Sequence, residues 1–379
     1  MEITHPMLTP FTAKQNSVQI GYVPLLDCAP LIVAQEAGFF AAQGIQVRLQ
    51  RESNWASIRD KLSLGILDGA HILAPMVLAS QLAPANNDRA KTFKTALAMG
   101  YNGNAITLSS QIYNQLAVPD NSLPAIVTAL KTHLSVTTGP LTVGTVHPHS
   151  MHTYLLHLFL NRAGIDMARV AIKVIPPVNM VEAMQQGEVD LYCVGEPWNT
   201  AAQIAQAGRI ICYGSELWAH APEKVLGVNQ GFAQTRPEVH EKMLAAIVRA
   251  CQWLECADHI AQSALWLAKP EYLDCSSDLL IQAMLGQWHT ARCGSHQRKV
   301  FFSQQANAPW PAHAQWILQA MQAYNQIDTR KLSASLDALY DWETYQRVMT
   351  RLDLPLVERE RFPGLLPAIA LPASPGRRP

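Results

Sequence analysis

The sequence has little charge and no excess of either sign. Charged residues make up 15% of its 379 positions, and 29 Lys and Arg residues balance 29 Asp and Glu residues. A neutral chain without a basic cluster argues against direct binding of nucleic acid. It leaves room for a pocket that holds one well-placed positive charge. Because 49% of the residues are hydrophobic, we expect most of the chain to fold.

Long apolar runs are also missing. No segment reaches the roughly 18 uncharged apolar residues of a membrane-spanning helix. Residues 1–17 include Glu2, His5 and Lys14, and they contain no apolar core of the kind that a secretory leader needs. The seven cysteines are scattered without a CxxC pair, so neither a zinc ribbon nor a thioredoxin motif is predicted. Unpaired thiols fit a reducing compartment, and we expect a soluble cytoplasmic protein without a membrane span.

Catalytic signatures are absent as well. The sequence contains no GxGxxG, GxxxxGKS/T, GxSxG or HExxH motif. Acidic residues are numerous but isolated, so they do not suggest an acid–base pair. We therefore expect a protein that is not an enzyme and that carries no cofactor.

Two similar α/β units follow one another along the chain. In each unit, short strand-like segments alternate with helical segments, an order that predicts a mostly parallel sheet with right-handed connections. The predicted strands are residues 18–23, 45–49 and 69–73 in the first unit and residues 141–146, 170–175 and 190–194 in the second. A chain of 379 residues is long enough for two such lobes.

The remaining segments complete a two-lobed α/β prediction. Residues 103–108 and 224–229 are extended, and we interpret them as crossovers between the lobes. The pattern beyond them is helical, notably over residues 243–269, which predicts a helical C-terminal region. The predicted division is an N-terminal tail (1–16), lobe I (17–105 and 230–355), lobe II (106–229) and a C-terminal tail (356–379).

Trp55 is the first candidate for a binding residue. Ser53 or Asn54 can cap a helix that begins near Trp55, directly after a predicted strand. Ligands of open α/β folds bind at such strand–helix junctions, and a helix N-terminus favours an anion. The indole N–H can face an anion because it is a donor without an acceptor. The alternative is a core tryptophan that only fills space.

A group of histidines precedes a helix of the second unit. His147, His149 and His152 could suggest a metal, but zinc sites usually need a further ligand and a shaped second shell. A surface loop that happens to be rich in histidine is a second interpretation. A single pocket histidine that donates to an anion is the third. His152 is the best candidate for that role because it lies in the first helical turn, and we predict no metal.

Lys224 enters the second crossover, directly after Pro222 and Glu223. At the floor of a cleft between lobes, one fixed ammonium group attracts a monovalent anion far more strongly than it would in water. The alternative is an exposed ion pair between Lys224 and Glu223.

Several motifs resemble one known family. They are Asp27-Cys-Ala-Pro30, Asn54-Trp-Ala-Ser57, Asp68-Gly-Ala-His-Ile-Leu-Ala-Pro-Met76, Asn102-Gly103 with Ala105-Ile-Thr107, and Cys193-Val-Gly-Glu-Pro-Trp198. This set is similar to the nitrate- and bicarbonate-binding proteins of ABC transporters, from about residue 18 to about residue 350. The resemblance implies a periplasmic-binding-protein-like fold of type II.

The resemblance also assigns roles to single residues. It implies that Trp55 lines the pocket, that His152 donates to the anion, that Gly195 brings backbone close to it and that Lys224 supplies the charge. Asn104 stands where the family has glutamine, a change that leaves the preference between nitrate and nitrite open. Pro177 matches a proline near the ligand only loosely. The bicarbonate-binding relatives differ at the His152 and Lys224 positions, so this pair favours nitrate or nitrite.

Two uses of such a site follow from the resemblance. Without an evident leader, the chain resembles the cytoplasmic nitrate sensors of NasS–NasT type. Those sensors hold an RNA-binding antiterminator of the NasT (ANTAR) type until nitrate or nitrite binds, and they do not contact RNA themselves. The alternative is the substrate-binding component of a nitrate, nitrite or bicarbonate ABC transporter. An enzyme like the thiamin-pyrimidine synthases is disfavoured, because the chain lacks their Cys-rich motif.

Overall fold

The computed structural model describes residues 16–82, 92–286, 299–328 and 334–369. In this part of the chain, two five-stranded mixed sheets have the orders β2-β1-β3-β10-β4 and β7-β6-β8-β5-β9. The strands are β1 (Ser17–Tyr22), β2 (Gln46–Arg51), β3 (Gly69–Leu73), β4 (Phe93–Ala98), β5 (Asn104–Ser109), β6 (Leu141–Thr145), β7 (Val170–Val174), β8 (Leu191–Gly195), β9 (Gly208–Tyr213) and β10 (Lys224–Asn229).

Each sheet is built by the same rule. Three strands from one β-α-β-α-β unit are parallel, and β1 and β6 lie in the middle of their trios. A strand that enters from the other half of the chain then adds in antiparallel orientation: β10 pairs with β3, and β5 pairs with β8. The two repeated units and the two-lobed α/β fold that the sequence predicts are therefore present, with mixed sheets.

Helices cover the faces of both sheets. The helices of lobe I that precede β5 are Ala29–Glu36, Phe39–Ala42, Trp55–Ser63 and Ala74–Ala79. Those of lobe II are Ser110–Gln115, Leu123–Val136, Met151–Arg162, Met180–Gln185, Trp198–Ile204 and Gly214–Leu217. After β10 the helices are Gln230–Thr235, Pro237–Glu255, Ile260–Leu267, Ser277–Leu285, Pro311–Ala323, Leu336–Leu339 and Trp342–Arg351.

The helical C-terminal region differs in detail from its predicted pattern. Residues 243–269 show one continuous helical periodicity, yet the structure breaks it between the helices Pro237–Glu255 and Ile260–Leu267. A 3₁₀ turn, Ala257–His259, occupies the break, and the His259 ring stacks on Trp253 at a centroid distance of 3.6 Å. Periodicity continues across such a turn because both helices pack apolar residues on the same core.

The lobe boundaries lie elsewhere than the sequence division placed them. Asn104 and Ala105, placed in lobe I, belong to β5 of the second sheet, and residues 224–229, placed in lobe II, form β10 of the first sheet. An extended segment that leaves one lobe must complete its backbone hydrogen bonds in the sheet that it enters. The sequence shows that such a segment is extended, but only strand pairing shows which sheet receives it.

Two linkers consequently join the lobes, at residues 99–103 and 218–223, and they run side by side. The Asn102 side chain donates to Ala219 O at 2.8 Å, and the Met99 N–H donates to Lys224 O at 2.9 Å. Tyr101 exchanges backbone hydrogen bonds of 2.8 and 3.1 Å with Val300. The segment that begins at residue 299 therefore packs along the first linker on the side of lobe I and is hydrogen-bonded to it.

The C-terminal segment packs on the protein over part of its length. Phe362 contacts Trp310 and His313, with centroid distances of 5.6 and 4.6 Å, and Trp316 Nε1 donates to Pro367 O at 2.7 Å. The predicted tail, residues 356–379, thus begins with a segment that lies against lobe I. Residues 1–15 of the predicted N-terminal tail and residues 370–379 lie outside the described residues.

Candidate functional site

Polar side chains of both lobes meet where the two sheets face each other. Lys224 begins β10 opposite Leu73, the last residue of β3, and Asn104 begins β5 opposite Gly195, the last residue of β8. These positions lie at the carboxyl ends of the parallel strands, the edge at which open α/β sheets bind ligands. The lobes touch directly here, since the Leu26 N–H donates to Glu196 O at 2.7 Å.

Two ammonium groups hold one carboxylate at the centre of this region. Asp27 lies in the 3₁₀ turn Leu26–Cys28 that follows β1. Its Oδ2 lies 3.0 Å from Nζ of Lys224, and its Oδ1 lies 2.5 Å from Nζ of Lys299. None of the three side chains is more than 2% exposed. A buried ion pair needs such complete partnering, because removing charge from water costs several kcal/mol per ion.

A second carboxyl group connects this centre to lobe II. Oε1 of Glu223 lies 2.5 Å from Nζ of Lys224 and 3.7 Å from Nε2 of His152. Glu223 and His152 are both completely buried. The first turn of the lobe II helix therefore faces the charged centre of lobe I.

Several buried polar atoms around this centre have no hydrogen-bond partner among the described residues. The donors are Trp55 Nε1, Asn104 Nδ2 and one ring nitrogen of each neutral histidine, His71 and His152. The second nitrogen of each ring and Asn104 Oδ1 are acceptors. The Trp55 ring lies 5.4 Å from the His71 ring and 5.7 Å from Nζ of Lys224. Buried polar groups are almost always hydrogen-bonded, so a cluster of unpartnered donors marks a place where a small polar ligand can bind.

Helix starts place two of these donors. The Asn54 side chain caps the helix Trp55–Ser63 by accepting from the Ser57 N–H at 2.9 Å. Ser150 caps the helix Met151–Arg162 in the same way. Both helices direct their positive ends, with their first residues, toward the facing edges of the sheets, an arrangement that favours an anion.

Burial and neighbouring charges set the protonation states. Burial alone would raise the pKa of Asp27, but the ammonium groups of Lys224 and Lys299 hold it well below its usual value. Burial would lower the pKa of Lys224, yet Asp27 and Glu223 raise it. Burial, with the nearby ammonium groups, lowers the pKa of His71 to about 3 and lowers that of His152 as well. The centre is thus a carboxylate, ammonium groups and neutral imidazoles.

Two glutamic acids behave differently from Asp27. Burial raises the pKa of Glu196 to about 8 and that of Glu223 to about 7. When both are neutral, the charges of Lys224, Lys299 and Asp27 sum to one positive charge. That sum suits a monovalent anion.

Gly195 provides close backbone approach between the lobes. A Cβ atom at this position would lie 2.8 Å from Oδ2 of Asp27 and 3.4 Å from Oδ1 of Asn104. Any larger residue would press on a carboxylate that two ammonium groups already hold in place.

The structure brings together five of the six residues that the sequence singles out: Trp55, Asn104, His152, Gly195 and Lys224. Lys224 and Glu223 do form an ion pair, but both side chains are completely buried, so the alternative of an exposed pair is wrong. Pro177 is buried in the 3₁₀ turn Pro177–Asn179 of lobe II. None of the hydrogen bonds, ion pairs and ring contacts described for the cluster involves Pro177.

The three histidines separate from one another. The rings of His147 and His149 lie 5.6 Å apart, whereas His152 is buried beside Glu223. In the described part of the chain, no three His, Cys, Asp or Glu residues are grouped so that they could hold a metal ion.

Five residues of the cluster are not predicted from the sequence: Asp27, His71, Glu196, Glu223 and Lys299. Asp27, His71 and Glu196 occur inside motifs already noted, and Glu223 directly precedes Lys224, so their neighbourhood was a usable signal. Lys299 has no such signal, because it lies far from every motif.

Comparison with known proteins agrees with this architecture. A model of the NMT1-like family matches residues 12–268. The chain is 36% identical over 324 residues to the bicarbonate transport ATP-binding protein CmpC of Synechocystis, a match that covers 83% of this chain and 47% of that protein. This chain therefore spans about half the length of that relative.

A shorter relative matches over most of its own length. The nitrate/nitrite binding protein NrtA of Synechococcus elongatus is 30% identical over 315 residues, which cover 80% of this chain and 70% of that protein. The crystal structure of the periplasmic nitrate-binding protein NrtA from Synechocystis superposes with a TM-score of 0.81 over 90% of each chain, at 23% identity. That superposition shows that the two proteins share a fold.

In the described part of the chain, no helix combines the length and apolarity that crossing a bilayer requires.

Proposed function

Given that the chain belongs to the NMT1-like family, we propose that its buried interlobe cluster binds nitrate or nitrite. One observation carries the proposal: unpartnered donors of both lobes surround a centre whose charge sums to one positive when the two glutamic acids are neutral. A small planar anion that only accepts hydrogen bonds matches N–H donors that converge from several directions. In this proposal the protein binds the anion and does not convert it chemically.

Both lobes contribute contacts to the proposed ligand. Trp55, His71 and Lys224 belong to lobe I, whereas Asn104, His152 and Gly195 belong to lobe II. An anion that bridges the two sets would favour the closed arrangement of the lobes by its differential affinity for that arrangement.

The proposed biological role is substrate binding for an ABC-type importer of nitrate or nitrite. The names of the relatives support this role, since one is a bicarbonate transport protein and another is a nitrate/nitrite binding protein. Bicarbonate differs from nitrate in carrying an O–H donor, and the cluster also holds unpartnered acceptors, among them Asn104 Oδ1, so calorimetry decides between the two anions.

A cytoplasmic sensor is a second proposal for the same site. It is supported by the buried free thiols Cys28, Cys193 and Cys251, which fit a reducing compartment. In this role, the anion-free protein binds an antiterminator of the NasT (ANTAR) type and releases it when nitrate or nitrite binds. Cell fractionation and gel filtration with the purified antiterminator, with and without nitrate, separate this role from import.

Isothermal titration calorimetry of the full chain tests the ligand. Nitrate, nitrite, bicarbonate and chloride are titrated separately into the same preparation at about pH 6.5, below the pKa of both glutamic acids. We expect nitrate or nitrite to bind most tightly and chloride, which is spherical, to bind far more weakly. Tightest binding of bicarbonate, or no binding of any of the four anions, would overturn the proposal.

A further inference from the structure

The two oxygens of the Glu223 carboxyl group have different surroundings. Oε1 is held by Nζ of Lys224 at 2.5 Å and faces Nε2 of His152 at 3.7 Å. Oε2 has no hydrogen-bond partner among the described residues, although the side chain is completely buried. A buried carboxylate oxygen without a partner is costly, and a neutral acid with an O–H at that position is less so. Oε2 is therefore the atom that can contact a ligand held between Trp55 and His152.

The net charge of the cluster limits the protonation states in which an anion can bind. Asp27, Glu196 and Glu223 are buried together with two ammonium groups, those of Lys224 and Lys299. If all three carboxyl groups were ionised, the cluster would carry one net negative charge. An anion about 4 Å from that charge would be repelled strongly, because the buried site has a low local dielectric constant. At least one carboxyl group must hold a proton before an anion can bind. Asp27 is the least suited to do so, because two ammonium groups contact it.

We infer that Glu223 is a specificity-determining residue that presents an O–H donor to the bound anion, so that binding of nitrate or nitrite is coupled to protonation of Glu223. The inference rests on the proposed function of the site. No covalent bond is made or broken in the ligand; the proton is taken from solvent when Glu223 is ionised before binding.

The surroundings of Glu223 support this assignment. Burial raises the pKa of Glu223 to about 7 against the opposing effect of Lys224, and the negative charge of Asp27 raises it further. The titratable groups that face it are Lys224, Asp27, Lys299, His152 and Cys193. Because the acid form is the binding form, affinity is highest below that pKa and falls as the pH rises through it.

Protonation of Glu223 would also distinguish between kinds of anion. A neutral Glu223 donates to an anion that has only acceptors, such as nitrate or nitrite. An ionised Glu223 repels such an anion by its charge and offers it only lone pairs. Bicarbonate can donate its own O–H to an ionised carboxylate, so its affinity should fall less as the pH rises.

Calorimetric titration of the full chain with sodium nitrate tests the coupling directly. Titrations from about pH 5.5 to about pH 9, in pairs of buffers with different ionisation enthalpies, give both the affinity and the number of protons taken up. We expect constant affinity at low pH, a loss approaching tenfold per pH unit above about pH 8, and uptake of about one proton per nitrate there. Bicarbonate, titrated in parallel over the upper part of this range, where it is the dominant carbonate species, should show a shallower loss.

Variants then identify the group. Glu223→Gln keeps a neutral donor, so it should bind nitrate within about tenfold of the wild-type affinity at low pH and lose the pH dependence. Glu196→Gln removes the other titrating acid and should keep the pH dependence. Wild-type affinity that stays constant over the whole range, or a slope that survives in Glu223→Gln and vanishes in Glu196→Gln, would overturn the inference while leaving nitrate binding intact. Absence of nitrate binding at every pH would overturn the proposed function itself.

Discussion

The ammonium group of Lys299 lies 2.5 Å from Oδ1 of Asp27, and it also donates to the backbone oxygen of Asn102 at 3.2 Å. One side chain thus contacts both the charged centre and the first linker between the lobes. A Cβ atom on Gly103 would lie 3.2 Å from Cδ of Lys299, so the linker passes directly over the lysine stem. Lys299 therefore links the charged centre to the first linker.

Replacement of Lys299 should therefore affect both stability and binding. Lys299→Ala leaves Asp27 with Lys224 as its one cationic partner and removes one positive charge from the site. We expect a loss of about 3 kcal/mol in the free energy of unfolding, together with weaker nitrate binding. Urea denaturation and calorimetry measure the two effects. Lys131→Ala, at an exposed helical lysine, is the matched control and should change stability by less than about 0.5 kcal/mol.

Lys224 should be the most sensitive position for anion affinity. Lys224→Ala removes a charge-assisted hydrogen bond in a buried site, which should cost about 1.5–3 kcal/mol, or roughly ten- to hundredfold in the Kd for nitrate. Lys224→Arg should not restore full binding, because the larger planar guanidinium does not fit between Asp27 and Glu223. Calorimetry decides, and unchanged affinity in Lys224→Ala would exclude a direct contact between Lys224 and the anion.

The indole N–H of Trp55 should contribute to nitrate affinity independently of the packing of its ring. Trp55→Phe keeps an aromatic side chain but removes a buried donor that has no partner in the described part of the protein. We expect nitrate affinity to fall about tenfold. Trp218→Phe is the control, because it removes another unpartnered buried indole N–H, from a ring that packs against Trp316 and His313. Equal losses of affinity in both variants would indicate a general packing effect.

Gly195 should be intolerant of a side chain. In Gly195→Ala the new Cβ would lie 2.8 Å from Oδ2 of Asp27, and the two lysines prevent that carboxylate from moving freely. We expect destabilisation of about 1–3 kcal/mol and loss of the closed arrangement, visible as a larger radius of gyration in small-angle X-ray scattering. In Gly139→Ala nothing lies within 4 Å of the new Cβ, so that variant should behave like the wild type.

The anion-free protein should lose stability as the pH rises from about 7 to about 8.5. Burial raises the pKa of Glu196 to about 8, so the folded protein holds a proton that the unfolded chain has already released. The contribution of Glu196 to the free energy of unfolding is fully present below its pKa in the unfolded chain. It is lost as the pH rises through its pKa in the folded protein. Glu196→Gln should reduce the loss over this interval by about 1 kcal/mol in thermal or urea unfolding. Glu188→Gln, at an exposed carboxyl group, should leave the slope unchanged.

Local patterns in the sequence were sufficient for several features. Hydrophobic alternation located the two β-α-β-α-β units, because strands and helices bury residues at different spacings. Capping residues before Trp55 and His152 located two helix starts, since a cap lies next to the turn that it stabilises. The roles of Asn104, Gly195 and Lys224 were predicted from a family resemblance, and the structure places these residues in the cluster. The position of Pro177 by the ligand is still a prediction.

The sequence by itself therefore determined the two β-α-β-α-β units and the helix starts before Trp55 and His152, but it did not reveal the strands β4 and β9. Tertiary structure decided which sheet receives β10, and it placed Lys299 against Asp27. It also raised the pKa values of Glu196 and Glu223 by burying both side chains. Strand pairing, ion pairing and desolvation depend on residues that are distant along the chain and close in space. No local periodicity or cap encodes them, so they appear only when the lobes are folded against each other.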